Sequence, residues 1–524
     1  MTATPAGVAT SAARWLPSLL VGVVAFGAAR FAMLPGLGFW DTAELQAVAP
    51  LMGTAHPTGY PTYVLLGWLA NIVLTPFGEP AMRMNLFAAI SLAVAAAVTA
   101  DLARALTRSA PLGVMAGLGL ALTEIAWSIG THADVHALHL ALVAILFRAL
   151  VAWEDRVAWD GPGRMPRDRV LIASAVVFGL AVGNHSLTFL LAPGIAVYVL
   201  AVEPGVLRRP RLIAACAAAL AVTVVLVFLE LPLRAGPFRA PMVYGRPETW
   251  DGFWYIVLAE QFREALVGPF VDVPAKILDV AYRAVLAFGP LAALIPFGFA
   301  ATVRLRPAYA LLSGICLLLT CAFAASYGNA EIERYFLGPV LIAWTWLAML
   351  AGGVTAALGR RRGPRADGKA RARVSRAAPD PVLALGLAAV LLLPTAVGLP
   401  ARFARVDRSG DLLARQWVDT ALAAMRPDAL VASWWSYSTP LWYAQHIEGQ
   451  RPDLTVIDDR TRLDLGSGDL SDVIDANLPN RPVYVIRVDP AEIVALERRY
   501  ILEYLEGGDA RHLTRVVARI EAGE

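Results

Sequence analysis

Cysteine is almost missing from this chain: among 524 residues there are three, Cys216, Cys316 and Cys321, each inside an apolar run. That excludes a disulfide scaffold, and no spaced Cys/His set points to structural zinc. The His-Glu-x-x-His pattern of zinc proteases is absent too. After Pro400 there is neither a Gly-x-Gly-x-x-Gly nor a Walker sequence, so nucleotide binding has no support. The first apolar stretch, Leu16 to Leu34, lacks a clear small-x-small cleavage site and is followed by further apolar stretches. It therefore reads as an uncleaved first helix rather than a signal peptide.

What the chain has in abundance is apolar surface. Hydrophobic residues make up 57% of it, mean hydropathy is +0.57, and apolar runs recur from Trp15 to Pro400. This is the pattern of a polytopic α-helical membrane protein. The net charge of +3 says little, and no nucleic-acid partner is expected; the placement of arginine says more. With Tyr60–Pro76 taken as interfacial, the spans are 15–35, 83–103, 111–129, 133–151, 169–183, 186–202, 212–230, 277–301, 307–325, 335–357 and 380–399. The turns with Arg104/Arg108, Arg156/Arg164/Arg167/Arg169, Arg208/Arg209/Arg211 and Arg304/Arg306 then all face the cytoplasm, as does the basic run Arg360–Arg376. The expectation is about 11 transmembrane helices in the cell inner (plasma) membrane, with the N-terminus inside and the C-terminus outside.

Residues 1–400 are thus expected to form the membrane domain, with noncytoplasmic loops 36–82 and 231–276. Trp250, Trp254 and Tyr255 in the second loop suit an interfacial helix. Residues 401–524 read as a small noncytoplasmic α/β domain with a partly parallel sheet. Its strands are expected at Ala429–Ser433, Leu454–Ile457 and Val483–Val488, and its helices near Pro440–His446, Asp472–Ala476 and Pro490–Leu505.

The stretch Phe39–Pro61, FWDTAELQAVAPLMGTAHPTGYP, follows the first span directly. Asp41 and Glu44, three residues apart, share a helix face. Carboxylates beside a membrane are costly unless solvated, paired or used. They suit a general base with a helper for proton removal from a hydroxyl. They equally suit an N-cap, Asp41, with Glu44 closing a capping box. His56 and Tyr60 stand on a turn stiffened by Pro57, Gly59 and Pro61. Arg83, at the start of the next helix, is a partner for Asp41 or Glu44 or a phosphate clamp. His132, Asp134, His136 and His139 gather at a helix mouth, where helical spacing makes metal binding the lesser alternative. Asn184-His185 marks another outer boundary, either a site or a turn. In the group Glu331, Glu333, Arg334 and Tyr335, Arg334 is the better phosphate ligand, its rival role being a salt bridge to Glu331 or Glu333.

The segments WDTAELQ (Trp40–Gln46), AHPTGYPTYVLLG (Ala55–Gly67), RMNLFAAI (Arg83–Ile90), GNH (Gly183–His185), YGRPETWDGFW (Tyr244–Trp254) and EIERYFLGP (Glu331–Pro339) resemble the DUF2723 membrane proteins. STPLWYAQHIEGQRPDLTVI (Ser438–Ile457) extends the likeness into the tail. Eukaryotic relatives of that group are protein O-mannosyltransferases, placed among GT-C glycosyltransferases. Thr58 stands where the family has a second proline, and Asp134 with His136 replaces its Glu-Val-Tyr arrangement. The resemblance implies a GT-C-like fold and inverting transfer of a sugar, mannose first among candidates. The donor would be linked to polyprenyl phosphate and the acceptor hydroxyl carried by a protein, glycan or lipid. No cofactor is implied. Asp41 becomes the base and Glu44 its helper; His56, Tyr60, Arg83, Asp134, His136, Asn184, His185, Trp250, Glu331, Arg334 and Tyr335 become substrate-binding candidates. A transporter or flippase of lipid-linked sugars is the rival reading, but it would place ionisable groups near mid-membrane.

Overall fold

The computed structural model describes residues 6–158, 166–268, 270–328, 331–362, 380–464, 466–505 and 512–520. Arg164 and the basic residues Arg365, Lys369, Arg371, Arg373 and Arg376 lie outside them. Among the described residues, six helices are long and apolar enough to cross a membrane. They are Pro80–Thr107, Val135–Ala158, Pro210–Ala235, Val273–Leu305, Pro307–Ala324 and Ile332–Leu358. Pro381–Val397 and Leu399–Val406, bent by 48°, make a seventh if counted as one span. Shorter apolar helices at Trp15–Phe31, Ala110–Ala121 and Ser186–Val202 coincide with three more expected spans, and a fourth, Pro61–Val73, with the expected interfacial segment. The span expected at 169–183 falls in Arg167–Asn184, which is in neither group.

Helix Pro80–Thr107 is central to the membrane part and packs against helices Ala6–Phe31, Ala110–Ala121 and Val135–Ala158. Small residues set that closeness. A Cβ at Gly113 would lie 2.5 Å from the Ala100 carbonyl, and one at Gly117 would lie 2.6 Å from that of Ala96. Glycines four apart let two helix backbones approach where any side chain would hold them off. The core they enclose is large and mainly apolar, with Phe147, Trp153 and Trp344 fully buried. Asp101, buried in the same helix, is paired with Arg104 and Arg148, which is how a charge survives in such surroundings.

The C-terminal part is an α/β unit. Its five strands are β1 (Leu430–Ser433), β2 (Thr455–Asp458), β3 (Val483–Ile486), β4 (Tyr500–Tyr504) and β5 (Leu513–Arg519), in the order β2-β1-β3-β5-β4. β1 is parallel to both β2 and β3, whereas β5 is antiparallel to β3 and β4. The expected helix over Pro490–Leu505 needs correction: it ends at Glu497, and Tyr500–Tyr504 is a strand. The cause is pairing. Tyr500 lies opposite Arg519 and Tyr504 opposite Thr514, and a strand partner overrides local helix preference.

This unit shares its core with the membrane part. Ala43, Ala47 and Tyr63 belong to the same buried cluster as Trp417, Val418 and Tyr443. The Tyr443 hydroxyl accepts the backbone N–H of Ala81 at 3.0 Å, at the start of helix Pro80–Thr107, where that donor has no helical partner.

Candidate active site

Asp41 and Glu44 lie in the first turns of helix Trp40–Leu51. The helix begins after Phe39 without a side-chain cap, so the capping-box alternative is not formed. Glu44 is instead fully buried and turned toward the His-Pro-Thr-Gly-Tyr-Pro turn. There its Oε1 accepts the His56 backbone N–H at 2.7 Å, and its Oε2 lies 2.5 Å from His56 Nδ1. The other ring nitrogen, Nε2, is 3.0 Å from the Tyr60 hydroxyl and 4.0 Å from Asp41 Oδ2. The turn is shaped by Gly59, whose φ of +79° suits glycine. A Cβ there would also stand 3.0 Å from Leu231 and Ile256.

Burial lowers the His56 pKa, but the charges of Glu44 and Asp41 and the Glu44 hydrogen bond outweigh it and raise the value to about 9. Burial pushes Glu44 upward, against the pull of His56. The pair shares one proton. Two donors aimed at Glu44 and a second carboxylate nearby favour the imidazolium–carboxylate form. Asp41 is different: its side chain is 38% exposed.

The residue that meets the other oxygen comes from 394 positions away. Trp435 Nε1 donates to Asp41 Oδ1 at 2.9 Å, and Thr439 Oγ1 donates to the Trp40 carbonyl at 2.8 Å. Trp40 adopts a left-handed φ of +58°, an unfavourable backbone for a bulky residue, and the Thr439 bond holds it there. Helix Trp435–His446, immediately after β1, therefore fixes the entrance of the carboxylate helix. Nothing in the 39–61 stretch announces Trp435. The available signal is the Trp434-Trp435 pair at the end of a strand.

Beside this trio lies a second polar group. Asp134 Oδ1 accepts the backbone N–H of His136 at 2.7 Å and lies 2.9 Å from its Nδ1. Asp134 Oδ2 is 3.4 Å from Arg334 Nη1, and Arg334 also pairs with Glu331. Burial disfavours the Asp134 charge, yet Arg334 and His136 hold its pKa well below the carboxylate range. His132, 3.9 Å from Asp134 Oδ2, is pushed down to about 3 by burial and by nearby arginines. Aromatic rings join the two groups. Tyr60 is 5.8 Å from His185, His185 4.8 Å from His136, and His136 5.6 Å from Tyr335. Asn184 Nδ2 donates to the Val135 carbonyl at 3.0 Å, tying two helices at this level. The Nε2 of His136, Nδ1 of His139, Oδ1 of Asn184 and the Tyr63 hydroxyl are buried without a hydrogen-bond partner among the described residues.

Two expected site residues lie elsewhere. Arg83 donates to the Gly78 carbonyl at 2.6 Å and to Asn71, so its pairing with Asp41 or Glu44 is not formed. Trp250 is 75% exposed and stacks edge-on against Trp254. Among the described residues, metal-ligating geometry falls at Asp41, Glu44 and His56 rather than at His132/His136/His139. The donor atoms of Asp41, Glu44 and His56 all lie within 4.8 Å of one another, a carboxylate–imidazole set able to hold a divalent cation.

Apolar helices long enough to cross a membrane and a C-terminal α/β unit together give the fold of a multi-pass membrane protein. The whole chain superposes on the crystal structure of ArnT from Cupriavidus metallidurans bound to undecaprenyl phosphate, with a TM-score of 0.57 and 16% identity, covering 98% of this chain and 99% of that one. The apo structure of the same enzyme gives 0.57 at 14% identity, covering 97% and 98%. At such identities the likeness is one of fold. Residues 41–205 match the family described as the protein O-mannosyl-transferase TMEM260 N-terminal domain. The protein O-mannosyl-transferase TMEM260 of Mus musculus is 29% identical over 276 residues, 49% of this chain and 36% of the mouse protein. The chain thus matches about a third of that relative's length.

Proposed function

We propose that this protein is an inverting glycosyltransferase that moves a sugar from a polyprenyl-phosphate carrier to an acceptor hydroxyl on the noncytoplasmic side of the membrane. The observation that carries the reading is the site itself. A partly exposed carboxylate, Asp41, is held by Trp435 beside a buried Glu44–His56 pair, and Arg334, paired with Asp134, is close enough for its charge to act on Asp41 and His56. The fold shared with a structure holding undecaprenyl phosphate, and the TMEM260 match, support a lipid-linked donor.

In this reading Asp41 takes the acceptor's proton as its oxygen attacks the anomeric carbon. The bond from that carbon to the phosphate oxygen breaks, and polyprenyl phosphate leaves with the electron pair. Configuration inverts, with no sugar–enzyme bond. Arg334 stabilises the leaving phosphate near the headgroup plane, where a fixed cation is most effective. Glu44 keeps His56 charged and oriented, and His56 with Tyr60 lines the approach. The polar atoms of His136 and Asn184 that have no partner among the described residues receive sugar hydroxyls. Trp250 serves at the headgroup level, where exposed indoles suit the interface. The same reading keeps about 11 spans, loops 36–82 and 231–276 and residues 401–524 outside, and mannose as the first sugar to test.

The experiment is a donor panel. Purified protein is incubated with labelled polyprenyl-phosphate mannose, polyprenyl-phosphate glucose and the matching nucleotide sugars, with and without a chelator. Release of polyprenyl phosphate from at least one lipid donor, and none from nucleotide sugars, supports the proposal. Turnover of nucleotide sugars alone contradicts it. Loss of turnover on chelation would show a cation requirement, for which Asp41, Glu44 and His56 are the candidate ligands.

A further inference from the structure

A cavity of about 440 Å³ opens between the 239–248 loop segment and the C-terminal unit, with Glu44 and Trp435 on its wall. Its other walls include Tyr244, Trp442, Asp458 and Arg460. None of these four lies within the family match, which ends at residue 205. The volume is in the ~300–1,000 Å³ range of ligand sites.

The cavity has a built floor. Tyr244 and Trp442 meet Trp435 edge-on, at 81° and 76°, so the three rings present faces as well as edges. Arg460 lies over Tyr255 at 4.4 Å, donates to its hydroxyl at 2.7 Å, and pairs with Asp464 at 2.5 Å. Asp458 Oδ1 accepts the Thr461 N–H at 2.7 Å. The segment carrying these groups is pinned from β3, because Arg487 donates to both oxygens of Asp459 at 3.0 Å. Trp435 follows the end of β1, and Asp458 ends β2. The cavity therefore sits at the carboxyl ends of two parallel strands, where open α/β sheets bind ligands.

Charge narrows the occupant. Carboxylates and guanidiniums of both signs share the wall, which suits neither a polyanion nor a polycation. Aromatic faces flanked by carboxylate acceptors and guanidinium donors suit a neutral, polyhydroxylated ring. We infer that this cavity is the acceptor subsite and that it receives the pyranose end of a glycan, presenting its hydroxyl toward Glu44 and the Trp435–Asp41 pair. This rests on the glycosyltransferase reading for the word acceptor, but the cavity's chemistry does not.

Titration calorimetry on the full-length protein in detergent tests it, with mannobiose, maltose, chitobiose and a neutral Ser/Thr-rich decapeptide as separate probes. At least one disaccharide is expected to bind, and Trp442→Ala and Asp458→Asn are each expected to weaken it by about tenfold or more. Ile501→Ala, exposed on β4 and outside the cavity, is expected to leave binding unchanged, and thermal unfolding checks that each variant is folded. Binding of the peptide in place of every disaccharide, no disaccharide binding, or equal affinity in Asp458→Asn overturns the inference. Because the readout is binding without turnover, its failure leaves the donor chemistry standing, and failure of the donor panel leaves this result intact.

Discussion

At the scale of single residues, the site joins groups that were visible in sequence to one that was not. Asp41, Glu44, His56 and Tyr60 lie within 20 positions, and their residue types already suggested proton transfer. Trp435 was hidden because its partner lies 394 residues away, and a Trp-Trp pair in a soluble-looking segment does not say which distant carboxylate it meets. Arg83 shows the converse. Its position promised a carboxylate partner, but Asn71 and Gly78 are nearer and take all its described hydrogen bonds. The indole bond to a charged oxygen contributes about 1.5–3 kcal/mol, so Trp435→Phe is expected to lower kcat by roughly tenfold or more. Donor KM should be unchanged, and steady-state kinetics against donor concentration would show it. His56 makes a pH prediction. Its folded pKa of about 9 lies above the ordinary 6.5. The stabilisation is complete below 6.5 and is lost as pH rises through 9, so the melting temperature should fall across that window. His56→Gln should flatten this limb; an unchanged slope would mean another group titrates.

At the scale of elements, glycine explains motifs that sequence could only mark. Gly183 of the Gly-Asn-His segment faces helix Pro210–Phe228, and a Cβ there would come within 2.5 Å of Val227 Cγ1 and 2.6 Å of Thr62 Oγ1. Val227 is β-branched and has little freedom to turn aside. Gly183→Ala should therefore cost about 1–3 kcal/mol, read as a lower apparent Tm, with Asn184 and His185 displaced. The helices of the membrane part were legible because long apolar runs have few alternatives. The β4–β5 pairing was not. Tyr500–Tyr504 becomes a strand only because Leu513–Arg519 lies beside it, and a pairing of that kind leaves little trace in either segment alone. The Asp41–Glu44 spacing misled in another way. Helical spacing allowed a capping box, but tertiary contact with His56 claimed Glu44 instead.

At the scale of the whole molecule, the membrane part and the C-terminal unit act as one machine. They share a buried cluster, and Trp435 and Thr439 both reach the carboxylate helix. The composition change at Pro400 gave no sign that residues beyond it, Trp435 and Thr439, would reach the carboxylate helix. The orientation proposed from the arginine pattern is open to direct measurement. Single cysteines placed in a chain cleared of its three native ones, at exposed Trp250 and Leu463, should react with a membrane-impermeant maleimide on intact cells, and one at exposed Arg108 should not. The opposite pattern would invert the topology and place transfer in the cytoplasm. The central claim is that Asp41 takes the acceptor's proton, and single-turnover transfer from a labelled polyprenyl-phosphate sugar tests it most directly. With donor bound to comparable occupancy, Asp41→Asn is predicted to slow transfer by about 10²–10⁴-fold, whereas equal rates in Asp41→Asn and the wild type would contradict the account.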